Sequence, residues 1–500
     1  MTWELHTRAA RELRKSRVDL SSTSVEPRAS GLAPGAADHL AAVKSFYESA
    51  RTDSNWPARQ YRKLLAHYYR ILIPPHASIV EIGCGSGELL ALLPNQDVSG
   101  VDLSERQIER ARHRLPHGVF HLQAAESLDL NRTFDFIILS ETINFVADAQ
   151  AVLQRLLRIS HPGTRLILNY HSNLWRPLLA LASWLGWKSA NPAANWFTTE
   201  DVRNLLWLSD WQEVKVQPRI LLPLPMLGLE ILANRYLAPL LPWFCLSVFT
   251  IARPHSSRQR NDYTVSIVIP ARNEAGNIAA ALRRIPPLGK GMEVIFIEGH
   301  SRDNTWDEIQ RNASERPGVP IRCLRQIGIG KGSAVREAFE AARGEILMIL
   351  DADLTVPPEE LPKFYEALAT GKADFANGVR LIYPMEERAM QFFNLCGNKL
   401  FSAIFTWLLG QPIKDTLCGT KALFRHDYER IAANRAYFGD FDPFGDFDLL
   451  FGADKLHLKI VDVPIRYAQR TYGETNIQRW RHGLLLWKMV AFAARKLKFV

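Results

Sequence analysis

Short unbroken apolar runs, each ending on polar or glycine positions, recur along the chain and alternate with segments whose apolar residues repeat at helical spacing. SIVEIGCGSGELLALL, VSGVDLSERQIERARHRL, FDFIILS and RLILNY form one series; VSIVIPARNE, MEVIFIEGHS and EILMILDAD form a second. A continuous apolar run bounded by turn formers predicts a strand buried on both faces. Such strands alternating with amphipathic helices predict a parallel sheet flanked by helices. Ile79–Ile82 reads as a strand and Glu88–Leu93 as a helix. Between the series, ARPHSSRQRNDYT (252–264) is polar and basic. The pattern predicts an α/β chain of two doubly wound, independent domains. The expected layout is a flexible basic tail over 1–40, a first domain over 41–253, a linker over 254–263 and a second domain over 264–500.

Three segments are too apolar for this scheme. Residues 219–251 are interrupted by Pro223, Pro225, Pro242, Asn234 and Arg235, which makes them poor material for a spanning helix. NLCGNKLFSAIFTWLLG (394–410) and the closing RHGLLLWKMVAFAARKLKFV combine aromatic residues with Lys or Arg. Both are too short or too charged to span, and are expected to lie on a membrane surface, with core helices as the competing reading. Segment 219–251 is divided evenly between helical packing on the first domain and the same surface role. The first twenty residues lack an apolar central run, so no secretory leader is expected.

Charge narrows the partners. The 500 residues carry a formal net charge of +9, which points to an anionic partner. No zinc-finger spacing or RNP-type aromatic signature accompanies it, and the basic residues are spread along the chain. Nucleic acid is therefore not expected, whereas anionic lipid and nucleotide diphosphate are. Five scattered cysteines without C-x-x-C spacing suggest a reducing compartment and no structural zinc.

VEIGCGSGE places Gly83, Gly85 and Gly87 between a strand and a helix, where the backbone can approach a ligand closely. Asp102 ends the next strand, placed to accept both hydroxyls of a ribose. With Glu81 before the glycines and Asp102 after them, residues 45–253 resemble class I S-adenosylmethionine-dependent methyltransferases. The resemblance implies a Rossmann-like fold with S-adenosylmethionine as cofactor. It assigns Glu81, Gly83, Gly85 and Gly87 to its methionine part, Asp102 to its ribose, and Ala125 and Glu126 of QAAESL to its adenine. A dinucleotide-binding dehydrogenase would read G-x-G-x-x-G, and here the third glycine comes one residue early. No general base can be named; His161, His171 and Glu141 lie near strand ends and read as structural.

In the second series, Pro270, Ala271, Arg272, Asn273 and Glu274 follow the first strand, and Glu298, Ser301 and Asp303 end the next. Strand ends of this kind bind ligands in open α/β sheets. A glycine-flanked Lys331 opens a helix, a place for an anion. MILDADLTVPPEE then sets Asp351 and Asp353 two apart, so that in a strand they would point the same way and repel unless a cation lies between them. Magnesium or manganese suits two carboxylates; a solvated strand end is the plainer alternative.

From about Tyr263 to Tyr472 the chain resembles family 2 glycosyltransferases of the dolichyl- or polyprenyl-phosphate mannose synthase branch, which have a GT-A fold. The resemblance implies that Asp351 and Asp353 carry a Mg2+ or Mn2+ ion bridging the diphosphate of a nucleotide-sugar. It implies that Pro270–Glu274 and Glu298 hold the nucleotide while Asp303 orders its loop. Lys331, Arg380, Lys421, Arg466 and Arg470 are the basic residues placed for phosphates, Arg380 and Arg470 foremost. Lys421 and Gly419 belong to IKDTLCGTK, where pairing of Lys421 with Asp415 is the structural alternative. Should the acceptor be a hydroxyl, Asp446 and Asp448 of FGDFDPFGDFDLL are the candidate bases, with Asp440 and Asp442 nearby. Two positions depart from the family. Glu298-Gly299-His300-Ser301-Arg302-Asp303 replaces D-D-G-S-x-D, and Thr355 stands where glutamine is common.

Together the resemblances imply a bifunctional enzyme, cytoplasmic and peripheral at the inner face of a membrane. It would transfer a sugar from a nucleotide donor to a lipid phosphate and methylate a sugar, lipid or related molecule. The alternatives are a hydroxyl acceptor in polysaccharide or glycolipid assembly, and a membrane-associated scaffold whose first half binds cofactor without catalysis.

Overall fold

The computed structural model describes residues 36–49, 56–184, 195–224, 226–255, 261–315, 318–380, 392–435, 446–470, 472 and 479–500. The first half contains strands β1 (Ile79–Ile82), β2 (Val98–Asp102), β3 (Val119–Leu122), β4 (Phe134–Ser140), β5 (Ser160–His171), β6 (Trp211–Arg219) and β7 (Ser247–Pro254). They form one sheet in the order β3-β2-β1-β4-β5-β7-β6, parallel except for β7, which runs antiparallel to both neighbours. Alternation sorts its side chains. Ile79, Ile138 and Ile167 pack with Tyr68, Tyr69 and Phe249 on one face; Val80, Ile137 and Leu168 pack with Leu153 and Trp211 on the other. Both faces are therefore buried, as the unbroken apolar runs require.

The second half contains β8 (Thr264–Ala271), β9 (Gly291–Glu298), β10 (Ile321–Arg325), β11 (Ile346–Ile349), β12 (Phe375–Val379), β13 (Lys421–Phe424) and β14 (Ile460–Pro464). Their order is β10-β9-β8-β11-β13-β12-β14, with β13 reversed between β11 and β12. Both sheets are thus mixed rather than purely parallel. The strand pattern did not show the reversals, because direction depends on partners distant in sequence.

Several expectations change here. The helix expected over Glu88–Leu93 is only a 3-10 turn at Leu90–Leu92. The apolar stretch 219–251 ends in β7, a buried strand, whereas its middle is exposed. The helices Phe392–Leu409 and Arg479–Ala493 bury Phe405, Leu408, Met489 and Ala493 in the second core, so they are core helices with an exposed edge at Leu400 and Trp487.

Polar contacts join the two halves. Asp374, before β12, accepts from Arg165 Nη2 of β5 at 2.9 Å and from Arg253 Nη1 of β7. Lys215 Nζ of β6 donates to Asp454 Oδ1 at 2.8 Å, and both side chains are almost wholly buried. His457 Nε2 lies 2.7 Å from the carbonyl of Leu72, and Lys459 Nζ donates to the carbonyl of Glu213 at 2.9 Å. Burial would raise the Asp374 carboxyl, but Arg165 and Arg253 hold it below its ordinary value. A buried charge persists only when paired this way.

Candidate active sites

The loop after β1 turns through three left-handed glycines, Gly83 (φ 75°), Gly85 (φ 52°) and Gly87 (φ 70°). At Gly83 a Cβ would stand 2.5 Å from Thr142 Oγ1; at Gly85 it would meet nothing within 4 Å, so the loop opens onto space there. Asp102, at the end of β2, accepts from the N–H of Gly85 at 2.8 Å and of Ser104 at 2.9 Å. Its burial pushes the carboxyl up, against the pull of those N–H groups. Glu81 is buried with Oε2 unpartnered among the described residues, and burial drives its carboxyl well up. An orphaned buried oxygen beside an open glycine turn fits a donor-bearing cofactor such as S-adenosylmethionine. Glu126, expected at the adenine, accepts through Oε1 from the N–H of Ala147 at 2.8 Å. Ala125, in the same 3-10 turn, is partly buried.

In the second sheet the loops after β8, β9 and β11 converge. Asn273 takes left-handed backbone (φ 56°), its N–H donates to Ser301 Oγ at 3.0 Å, and its Oδ1 accepts from the N–H of Arg302 at 2.8 Å. Asp303 Oδ1 accepts from the N–H of Thr305 at 3.1 Å, and Glu298 accepts from the N–H of Ser301. These bonds tie the Pro270–Glu274 and Glu298–Asp303 segments into one rim. Arg272 stands exposed on it, whereas Pro270 and Ala271 still pair with Ile297 and Glu298 of β9.

β11 ends at Ile349, so strand alternation does not extend through the aspartates. Asp351 meets Lys331 Nζ at 2.6 Å; Asp353 meets Arg470 Nη2 at 2.6 Å and caps Thr355 Oγ1 at 2.8 Å. Burial would raise the Asp351 carboxyl, but Lys331, Lys421 and Arg380 hold it low. Gly419 closes this corner, because any Cβ there would collide with Lys331 Nζ and Asp351 Oδ2. Among the described residues no three His, Cys, Asp or Glu side chains converge as a metal centre. Two carboxylates nonetheless fit magnesium or manganese, since such ions take one or two carboxylates and complete their shell with substrate phosphates and water.

Three residues are engaged differently from expectation. Arg380 grips Asp415 through Nε at 2.7 Å and Nη2 at 2.8 Å, so its planar fork is already occupied. Lys421 donates to the carbonyl of Cys418. Asp448 accepts from Arg435 Nε at 3.0 Å. Asp446 opens a helix, and its side chain, with Asp440, Asp442 and Gly473, lies outside the described residues. Sequence reading did not single out Tyr61, whose hydroxyl donates to Glu141 Oε1 at 2.7 Å. It also discounted Glu141 and His171, whose positions at strand ends were the available clue.

Two mixed sheets, each with loops gathered at strand carboxyl ends, make this a chain of two α/β domains. Residues 56–216 match the sequence model of a methyltransferase domain, and residues 266–431 match that of glycosyl transferase family 2. The chain joins a methyltransferase domain to a family 2 glycosyltransferase domain. It is 30% identical over 222 residues to a dolichol-phosphate mannosyltransferase of Pyrococcus furiosus, covering 43% of this chain and 59% of that protein. It is 27% identical over 217 residues to an undecaprenyl-phosphate 4-deoxy-4-formamido-L-arabinose transferase of Edwardsiella ictaluri, covering 42% and 62%. The chain thus spans about three-fifths of the length of these curated relatives. Glucosyl-3-phosphoglycerate synthase of Mycobacterium tuberculosis, solved with Mn2+, uridine diphosphate and glucosyl-3-phosphoglycerate, is 21% identical (TM-score 0.35; 47% of this chain, 80% of that). A possible histamine N-methyltransferase of Thermotoga maritima is 24% identical (TM-score 0.31; 40% and 92%).

Proposed function

We propose that the second domain transfers a sugar from a nucleotide-diphospho-sugar to a polyprenyl phosphate. The first domain, in this reading, methylates a sugar, lipid or glycolipid with S-adenosylmethionine. The convergence of Asp351, Asp353, Lys331 and Arg470 carries the sugar-transfer half. Asp351 and Asp353 would hold Mg2+ or Mn2+, which supplies positive charge where the departing diphosphate gathers negative charge. Lys331, at a helix start, and Arg470 are set to bind phosphate oxygens once released from the aspartates. The Asn273–Ser301 and Glu298–Asp303 rim would seat the nucleoside. Phosphate as acceptor is supported by the named activities of the relatives, and an acceptor already anionic needs no general base. The Arg435 contact of Asp448 leaves a hydroxyl acceptor with less support.

A membrane-surface position, peripheral and on the side where nucleotide-sugars are made, completes this reading. Among the described residues no helix is long and apolar enough to cross a membrane. Leu227, Ile231, Leu240 and Trp243 are exposed, and Trp175 Nε1 donates to the carbonyl of Phe244 at 2.8 Å, which joins this stretch to exposed Leu174 and Leu178. Contiguous exposed apolar residues beside basic ones suit a lipid interface. The test is to incubate the full chain with nucleotide-sugars and short polyprenyl phosphates, with and without manganese. Sugar appearing on the lipid phosphate supports the reading, and transfer only to hydroxyl acceptors overturns it.

A further inference from the structure

At the carboxyl edge of the first sheet, Glu141 follows β4 in left-handed backbone (φ 61°), a conformation uncommon for residues other than glycine. Its N–H donates to the carbonyl of Asn169 in β5 at 3.0 Å, which fixes it beside that strand's end. There Glu141 Oε1 lies 3.1 Å from His171 Nε2 and accepts from the Tyr61 hydroxyl at 2.7 Å. The same hydroxyl stands 2.6 Å from Ser247 Oγ, and the rings of Tyr61 and His171 stack with centroids 6.3 Å apart. A helix and the edges of β4, β5 and β7 thus combine to orient one imidazole. Strain of this kind is typical of functional sites and persists only where surrounding contacts hold it.

The cluster adjoins the cofactor loop. Thr142, next to Glu141, donates to the carbonyl of Ile82 at 2.7 Å and fills the space above Gly83. Tyr47 senses both Asp102 and Glu141, and its phenol is pushed up to about 12 by burial and by those two charges. Glu141 is thus next in the chain to the residue that packs on the glycine loop, and His171 pairs with Glu141 at the same sheet edge. Tyr69, whose phenol senses Glu81 and Glu141, and Arg62, which pairs with Glu88, complete the charged surroundings.

We propose that His171 is the general base of methyl transfer, positioned by Glu141 and Tyr61, and that the acceptor presents a neutral hydroxyl. His171 Nε2–H donates to Glu141, which leaves the Nδ1 lone pair to take a proton. The acceptor oxygen gives its proton to Nδ1 and an electron pair to the methyl carbon; the carbon–sulfur bond breaks with its pair kept on sulfur. The proton then leaves to solvent. A carboxylate acceptor would need no base and would be repelled by Glu141 and Asp102.

The proposal rests on S-adenosylmethionine occupying the glycine loop, and calorimetric binding of S-adenosylhomocysteine to the full chain tests that reading separately. With side-chain 15N-labelled histidine and His171→Asn for assignment, the His171 resonance is titrated with each ligand bound. The sulfonium of S-adenosylmethionine is cationic and the thioether is neutral. A base facing the methyl group therefore shows different ring 15N shifts with the two ligands at the same pH. Coincident titrations with both ligands, while both bind, overturn the proposal. With tritiated S-adenosylmethionine and a total cell lipid extract, label in alkali-stable methyl ethers is expected. His171→Asn should reduce it by roughly 100-fold with S-adenosylhomocysteine affinity unchanged. Label released by mild alkali as methanol, or undiminished label in the variant, overturns it.

Discussion

Arg470 Nη2 stands 2.6 Å from Asp353 Oδ2, while its Nη1 reaches to 3.5 Å from Glu274 Oε1. One guanidinium thus links the aspartate after β11 to the acid after β8, across two loops that meet only in the folded sheet. That bridge occupies the place where the donor's diphosphate is proposed to bind, and Arg470 would exchange carboxylate for phosphate.

Asp353→Ala should remove this anchor. Sugar transfer is expected to fall at least about 100-fold, the scale of losing one preorganised electrostatic contact. S-adenosylmethionine binding, read by calorimetry on the same sample, should be unchanged because the two sites share no side chain. Joint loss in a folded variant would contradict the separation of the sites.

Glu274 gives a pH signature. Its carboxyl is pushed up to about 7, chiefly by burial, with Arg470 opposing and Asp353 adding to the rise. A carboxyl raised on folding binds its proton more tightly in the native state, so stability is highest below the unfolded value and declines as pH rises through about 7. After allowance for solvent screening, the loss between pH 5 and pH 8 is on the order of 1–2 kcal/mol. Thermal unfolding across that range should show the decline, and Glu274→Gln should flatten it. An equally steep decline in the variant would place its origin elsewhere.

Asp374 joins the halves through Arg165 and Arg253. Asp374→Ala leaves two guanidinium groups buried without their carboxylate and should cost about 3–5 kcal/mol. Denaturant unfolding of the full chain reads this as an earlier transition. Unfolding midpoints equal to the parent's would show that the contact does not hold the domains together.

The exposed apolar stretch makes a different prediction. Leu227→Glu with Trp243→Glu should reduce co-sedimentation with vesicles containing anionic lipid by roughly tenfold, since each change replaces a large apolar side chain with a charge. Soluble turnover should persist, as both side chains are exposed. Undiminished sedimentation would remove this surface from the reading.

Much of the architecture was open to inspection in the residue order. Unbroken apolar runs revealed β1, β4, β8, β9 and β11, because a strand buried on both faces must be apolar throughout. Glycines at 83, 85 and 87 and the acid at 102 identified a loop whose backbone a ligand could approach closely, a property set by residue type and spacing. What Asp351, Asp353, Arg380, Lys421 and Asp448 touch was not accessible in that way. Lys331, Arg380, Arg435 and Arg470 all offer the same charge, and which carboxylate each meets depends on loops brought together over long sequence distances. The reversed strands β7 and β13, the joint at Asp374, and the Tyr61–Glu141–His171 cluster follow the same rule. Local periodicity determines which segments become strands and which loops can cradle a ligand; pairing among distant like-for-like charges is decided only when the sheets close and solvent is excluded between them.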